Sequence, residues 1–331
     1  MAATETPKNN VYQLLKKLLG EEDSTQWVSA TVLTKYRSSY RKPGAMMLVS
    51  PLGQTYGLIS GGCLESDIVL RARRVLQYGH PEFVIYDSME EGNIAAELGL
   101  GCNGRIGVLI EEITESQRAI YGLLLERMKS GQTSCLVHAY NEDGESFGDS
   151  FGIRALLDEN QQVIHIIEGD GDIPQFDAAN DDEPQLSCRD GFTWSRCKVK
   201  PPVRLLLVGG GVDAQPVAEL AARLGWRVTV ADHRTVNARH HYFAMAEAIV
   251  NVLPEDLEET PQADAVIVMS HNLETDARWL SCCSQISGLE YVGLLGPQSR
   301  KEQVLEIAGL DPGGAFAKVI YGRPLFLLSK F

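Results

Sequence analysis

The chain has 331 residues, 44% of them hydrophobic and 22% charged, a composition typical of a globular protein with about two domains. Its formal net charge of −14 argues against a protein that grips nucleic acid or an anionic membrane. The seven cysteines are an odd number, which argues against a disulfide framework. The polar N-terminal segment argues against a signal peptide, and the lack of an apolar run of membrane-spanning length argues against a membrane span. We therefore expect a cytoplasmic protein.

Hydrophobic periodicity predicts a small α/β domain in the N-terminal part of the chain. Apolar residues recur at helical spacing in three segments, 11–19, 63–78 and 115–129, and a glycine follows the end of each segment within two residues. Short apolar or β-branched runs predict eight strands: 27–34, 45–50, 55–60, 82–86, 106–110, 135–139, 153–157 and 163–167. Runs 45–50 and 55–60 flank a Pro-Leu-Gly sequence and predict a hairpin.

The clearest domain boundary lies at two consecutive prolines, Pro201 and Pro202, which precede a purely apolar strand. We therefore predict an N-terminal domain over residues 1–200 and a C-terminal domain over residues 201–331. An acidic stretch near 169–185, rich in Gly, Pro, Asn and Asp, predicts an exposed loop or linker.

The C-terminal domain opens with the pattern of a Rossmann-like parallel sheet. An apolar strand at 204–208 runs into a glycine-rich turn at 209–214, and a helix at 215–224 follows. A second strand at 227–231 then ends in Asp232. This order of a strand, a glycine-rich turn, a helix, a second strand and an acidic residue is typical of the dinucleotide-binding fingerprint.

Each fingerprint residue has a predicted role. Gly209 makes the tight turn, Gly211 lets a pyrophosphate approach the backbone, and Ala214 allows close contact between helix and strand. Asp232 would accept a hydrogen bond from a ribose hydroxyl and repel a 2′-phosphate, which favours NAD over NADP, although Arg234 is available to a phosphate. The alternative is a Rossmann fold that binds no nucleotide.

Two further strands, 265–269 and 291–295, end in polar clusters, where ligands of open α/β sheets bind. His271 follows the first strand, and Arg300 begins a helix after the second. We name both as candidate cofactor-binding residues. Solvated charge and helix capping are the alternatives for this region.

Two cysteines stand among glycines. The sequence Gly61-Gly62-Cys63-Leu64-Glu65 follows a strand and opens a helix, whose dipole favours a thiolate. Gly101-Cys102-Asn103-Gly104-Arg105 places a second cysteine in a turn, with an arginine fork for an anion. The alternative for either cysteine is a small buried apolar side chain.

These motifs resemble the XdhC/CoxI family. The N-terminal resemblance lies in residues 38–49, 60–65 and 99–104, and the C-terminal resemblance in the glycine turn, Asp232-His233-Arg234, Ser270-His271-Asn272 and residues 291–297. Arg37 and Tyr40 depart from the family's usual residues, and so does the tail at 323–331.

The resemblance implies an accessory and maturation factor rather than an enzyme. Such a factor binds the molybdenum cofactor (molybdopterin) and delivers it to the apo-enzyme of a molybdenum hydroxylase such as xanthine dehydrogenase. It also implies a cysteine desulfurase as a partner, and a homodimer.

Carried across residue by residue, the resemblance makes Cys63 and Cys102 candidate contacts of the cofactor or its molybdenum. Gly61, Gly62, Glu65 and Gly101 stand beside them, and Arg41 and Arg105 would neutralise the pterin phosphate. The rival hypothesis is an NAD(P)-dependent oxidoreductase that uses the C-terminal domain, with His271 as its acid–base group.

Overall fold

The structure is a computed structural model. It describes residues 10–21, 26–90, 92–97, 104–141, 152–167, 173–176, 185–189, 191–311 and 320–322. The chain divides into two compact units, Met1–Pro201 and Pro202–Phe331, next to the two prolines at which a boundary is predicted. Each unit is a mixed arrangement of helices and strands, and the predicted α/β class is confirmed.

The first unit is built on two five-stranded sheets. Its elements in chain order are α1 (Val11–Leu19), β1 (Val28–Arg37), β2 (Met46–Val49), β3 (Thr55–Gly57), α2 (Glu65–Tyr78), β4 (Glu82–Asp87), α3 (Ile94–Glu97), β5 (Gly104–Glu112), α4 (Glu115–Lys129), β6 (Ser134–Tyr140), β7 (Gly152–Asp158), β8 (Val163–Ile166), β9 (Gln185–Arg189) and β10 (Phe192–Val199). Sheet A has the strand order β3-β2-β1-β5-β4 and sheet B the order β8-β7-β6-β10-β9. Neighbouring strands are antiparallel throughout both sheets.

Local sequence signals explain the helices that pack on these sheets. The side chain of Asn10 accepts a hydrogen bond from the Gln13 N–H and so caps α1, whose buried leucines lie on one face. A capping box starts α4: the Thr114 hydroxyl accepts from the Gln117 N–H, and the Gln117 side chain accepts from the Thr114 N–H. Both helices have the bounds that periodicity predicts.

The hairpin of β9 and β10 differs from what the sequence suggests. Strand β10 is an interior strand of sheet B, but it buries Ser195 and Arg196, and these polar residues hide the apolar pattern of a core strand. The 169–185 stretch joins β8 to β9, so it connects strands of one sheet. Most of the stretch lies outside the described residues; within it, Phe176 is buried in a cluster with Trp194.

A buried carboxyl group joins the two sheets. Glu111 on β5 is 2% exposed, and its Oε2 accepts hydrogen bonds from Gln117 Nε2 at 2.5 Å and from the Ile153 N–H of β7 at 3.2 Å. Its Oε1 has no hydrogen-bond partner among the residues that the structure describes. Burial raises the pKa of Glu111 to about 8, against the opposing effects of the Ile153 and Gln117 hydrogen bonds and the charge of Arg154. The side chain is therefore mostly protonated at neutral pH.

The second unit is a Rossmann domain. It contains β11 (Arg204–Val208), α5 (Ala214–Arg223), β12 (Arg227–Ala231), β13 (Ala248–Val250), a short 3-10 helix (Pro254–Asp256), β14 (Ala265–Val268), α6 (Leu273–Cys283), β15 (Tyr291–Leu295), α7 (Gln298–Ala308) and β16 (Ile320–Gly322). All six strands are parallel, in the order β13-β12-β11-β14-β15-β16. Numbered within the unit this is 3-2-1-4-5-6, the order of dinucleotide-binding sheets.

Alternating side chains of β11 show how the parallel sheet is covered. Leu205 and Leu207 belong to the cluster that contains α5 residues, whereas Leu206 and Val208 belong to the cluster with α6 and α7. The strand is buried on both faces, as a central parallel strand should be. In the part of the chain that the structure describes, no helix is both long and apolar enough to cross a bilayer.

Replacing Glu111 by Gln should make stability less dependent on pH. The unfolded chain loses the Glu111 proton near the ordinary pKa of 4.5, whereas the folded chain keeps it up to about pH 8. The free energy of unfolding should therefore fall as pH rises from about 5 to about 8, by about 1.4 kcal/mol for each unit of pKa difference. In E111Q this contribution is absent. Urea unfolding at several pH values measures the difference.

The matched control is E112Q on the same strand, where the carboxylate is only partly buried and accepts from Gln26. We expect it to keep the pH slope of the wild-type chain. Equal slopes in wild type and E111Q would contradict the burial of an ionisable Glu111.

Candidate functional site

The candidate residues fall into two sets, one in each unit. In the first unit, the end of β1 pairs with the start of β5, so that Arg37 lies opposite Gly104. A Cβ on Gly104 would lie 1.8 Å from the Ser38 carbonyl oxygen, so the loop after β1 touches the backbone of β5 there. The same loop continues to Tyr40, which packs against Gly61 in the loop before α2. These contacts bring the 38–45 loop, the 58–64 loop and the start of β5 together.

Gly61 and Gly62 give the loop before α2 its path. Both have positive φ, +79° and +116°, which favours glycine. A Cβ on Gly61 would lie 3.1 Å from two carbons of the Tyr40 ring, whereas a Cβ on Gly62 would meet nothing within 4 Å. Gly61 therefore seats the loop against Tyr40, while Gly62 leaves one side of the backbone open to a ligand.

The carboxylate of Glu65 holds this loop. Its Oε1 accepts from the N–H groups of Ile59 at 2.9 Å and Ser60 at 2.8 Å, and its Oε2 accepts from the Ser60 hydroxyl at 2.7 Å and the Gly62 N–H at 2.9 Å. Burial tends to raise the pKa of Glu65, but these hydrogen bonds outweigh it and hold the pKa below its ordinary value. Glu65 therefore shapes the loop, and its oxygens point at the protein backbone.

Cys63 lies in this loop, two residues before the first residue of α2, and is exposed. The loop is fixed on both sides of the cysteine, because the Ser60 hydroxyl accepts from the Leu64 N–H at 2.7 Å and Glu65 accepts from Gly62. Cys63 thus stands at the start of a helix, the position that the sequence indicates, and the structure leaves its thiol exposed. Gly101 and Cys102 lie outside the described residues, and Gly104 is the first described residue after them.

Three arginines lie in the segments that meet at the cysteine loop. Arg105 is exposed on β5, where it lies opposite Tyr36 and Asp87 in the two neighbouring strands. Arg41 is half-buried in the loop after β1. Arg37 is exposed at the end of β1, has a φ of +60°, and donates to the sulfur of Met89 at 3.4 Å. Arg41 and Arg105 are the two guanidinium groups that the sequence predicts for an anionic group.

The second set lies at the carboxyl edge of the Rossmann sheet. A Cβ on Gly209 would lie 2.6 Å from the Met269 carbonyl oxygen, which explains the glycine at this tight turn. Gly211 has open space on its Cβ side, and Ala214 is fully buried at the start of α5. The three small residues thus have the geometry that the fingerprint predicts.

Asp232 is buried and engaged by the protein itself. Its Oδ2 accepts from the Gly210 N–H at 2.8 Å and from Arg234 Nη2 at 2.9 Å, and its Oδ1 accepts from the backbone N–H and the Nε of Arg234, both at 2.9 Å. Burial tends to raise the pKa of Asp232, but the Arg234 and Gly210 hydrogen bonds lower it below its ordinary value. The acid at the end of β12 therefore stays ionised without any ligand.

The other two candidates at this edge also have protein partners. His271 Nε2 lies 3.4 Å from Asp213 Oδ2, and both side chains are more than half exposed. Arg300 Nη2 donates to Asp276 Oδ2 at 2.6 Å, and Asp276 also accepts from the Ser270 N–H at 3.1 Å. Asp276 ties α7 to the end of β14 and is buried.

Sequence reasoning missed Tyr40, Asp213 and Asp276 as members of these sites. Asp276 lies in the first turn of α6, where an acid ordinarily serves the helix dipole, so its contact with Arg300 has no sequence signal. Tyr40 lies 21 residues before its partner Gly61, in a loop whose path periodicity does not predict.

Two family models match the two units. Residues 21–87 match the XdhC and CoxI family, and residues 205–315 match the XdhC Rossmann domain. The chain belongs to the XdhC/CoxI family. The first match contains Cys63, and the second contains the glycine turn, Asp232, His271 and Arg300. The resemblance drawn from the motifs is confirmed.

Relatives of this family member span nearly the whole chain. A Bacillus subtilis (strain 168) protein, named as a probable subunit of xanthine dehydrogenase, is 29% identical over 317 residues, 93% of this chain and 89% of that protein. A crystal structure described as a xanthine dehydrogenase from Bacillus halodurans has 26% identity and a TM-score of 0.70. The match covers 90% of this chain and 85% of that one.

Replacing Glu65 by Ala should loosen the cysteine loop of this XdhC/CoxI protein. Three N–H groups would lose a charged acceptor, so we expect a loss of about 2 kcal/mol or more in stability. The amides of Ile59, Ser60 and Gly62 should lose their protection from hydrogen exchange, which NMR or mass spectrometry measures.

Ser66→Ala, at an exposed position of the same helix, is the matched control and should leave exchange in the loop unchanged. Unaltered protection in E65A would contradict the role of Glu65 in holding the loop.

Proposed function

We propose that this chain is an accessory factor of a molybdenum hydroxylase of the xanthine dehydrogenase type. It binds the molybdenum cofactor as cargo and delivers it to the apo-enzyme. The observation that carries the proposal is the exposed thiol of Cys63, held on a fixed loop next to the open side of Gly62. The names of the two relatives, which both refer to xanthine dehydrogenase, support the choice of recipient.

The chemistry of this edge fits the cargo. A cysteine sulfur is a soft ligand of the kind that suits a thiophilic metal. The open face at Gly62 admits a bulky group close to the backbone. The cargo would supply the redox chemistry only in the recipient enzyme, whereas Cys63 holds it in transit.

Positive charge at the same edge supports binding of a phosphate-bearing group. Arg41 and Arg105 are the arginines that we assign to the pterin phosphate, and Arg37 adds a third guanidinium nearby. Guanidinium groups suit phosphate because their donors form a planar fork. Cys102 belongs to the same proposal as a second thiol.

The remaining parts of the proposal concern the cell. The chain acts in the cytoplasm as a homodimer, and a cysteine desulfurase supplies sulfur to the cargo before delivery. It is a carrier and catalyses no reaction of its own. The strand order, the glycine turn and the pair of His271 with Asp213 are compatible with the oxidoreductase alternative, but that alternative gives the exposed thiol of Cys63 no role.

Cofactor retention tests this function. Purified protein is mixed with free molybdenum cofactor without oxygen and passed over a desalting column, and molybdenum and pterin are measured in the protein fraction. We expect retention by the wild type. In C63S the retained amount should fall by about tenfold or more, the effect of losing about 1.4 kcal/mol of binding free energy.

Cys188 provides the matched control, because it is also an exposed cysteine of the first unit but lies on β9. C188S should retain as much cofactor as the wild type. A wild-type protein that retains no cofactor would overturn the proposal. Equal retention in wild type and C63S would remove Cys63 from it.

A further inference from the structure

The Rossmann domain has the strand order and glycine turn of a dinucleotide-binding fold, yet its ligand edge is already engaged by its own side chains. We infer that the ion pair of Asp232 and Arg234 closes this edge, so that the domain binds neither NAD nor NADP. Arg234 is the residue that determines this closure. The inference is independent of the cargo proposed for the first unit.

The position that a ribose would occupy is taken by the protein's own side chains. In dinucleotide-binding folds the acid at the end of the second strand accepts hydrogen bonds from ribose hydroxyls. Here the side chain of Asp232 is only 1% exposed, and both of its oxygens accept hydrogen bonds from Arg234. A ribose would have to displace a two-point guanidinium contact, which is among the stronger hydrogen-bonded pairs in proteins.

A carboxylate stands beside the position that a pyrophosphate would occupy. Asp213 lies directly before α5, at the helix start where a diphosphate would bind. Its carboxylate is 59% exposed and places a negative charge beside that position. His271 pairs with this carboxylate from a strained backbone conformation, with φ at +64°. The open space at Gly211 is therefore bordered by an anion.

The arginine that would bind the 2′-phosphate of NADP is already engaged. A 2′-phosphate needs an available cationic fork at the end of the second strand, and Arg234 is the arginine in that place. Its Nε and Nη2 already donate to Asp232 at 2.9 Å. The buried carboxylate behind the guanidinium also cancels its charge. The same contact thus hides the ribose acceptor needed for NAD and occupies the cation needed for NADP.

Removing the guanidinium should open the edge. In R234A the carboxylate of Asp232 loses its cover but keeps the Gly210 N–H that orients it. Isothermal titration calorimetry with NAD and with NADP measures the outcome. We expect the wild type to bind both more weakly than about 1 mM. R234A should bind NAD at least about tenfold more tightly than the wild type does.

Three further variants make the result specific. R239A removes an exposed arginine of the same loop, which donates to the Thr235 carbonyl, and should behave as the wild type. R234K keeps a charge but no planar fork, and should bind NAD with intermediate affinity even where R234A folds poorly. Adding D232A to R234A should abolish the gain, because the ribose acceptor is lost.

Thermal melting confirms that each variant is folded. Saturable binding of NAD or NADP by the wild type in the micromolar range would overturn the closure. A folded R234A that binds NAD no better than the wild type would overturn the role of Arg234.

Discussion

Buried carboxyl groups that accept N–H hydrogen bonds fix the loops on which both units depend. Glu65 holds the cysteine loop, Glu111 joins sheet A to sheet B, Asp232 holds the glycine turn, and Asp276 holds the end of β14. A buried carboxylate stays charged only where such donors surround it; Glu111, one of whose oxygens has no partner among the described residues, has a raised pKa instead. The paths of the loops and the positions of the acids therefore determine each other.

In this arrangement the buried acids hold the backbone and are not exposed to a ligand. In the first unit the acid is turned inward, and a thiol and arginines are left at the surface. In the second unit the acid is turned inward as well, but there it occupies the groups that a nucleotide would use. A complete Rossmann architecture therefore says little about ligand binding until the hydrogen bonds of its acidic residue are known.

Much of the fold follows from the sequence because its signals are local. The bounds of α1, α4 and β11 agree with the predicted ranges, since caps and apolar spacing act within a few residues. The β9–β10 hairpin was not predicted, because the buried Ser195 donates to the Leu33 carbonyl of sheet A, a contact across 162 residues. Such a contact is a tertiary constraint that leaves no periodic signal.

The sequence indicates the residues of the candidate site but not the orientation of their side chains. Glycines beside Cys63 indicate a close approach, and the structure places them in positive-φ positions. Sequence spacing does not predict that Glu65 and Asp232 point at backbone N–H groups. A carboxylate next to a glycine turn can accept hydrogen bonds either from a ligand or from the backbone of the turn. Only the direction of the side chain separates the two roles.

Gly104 limits how this edge can vary among related chains. A side chain of any size there would overlap the Ser38 carbonyl, so the backbones of β5 and the loop after β1 must stay in contact. Evolution can therefore exchange the side chains that project from the edge while its framework stays the same.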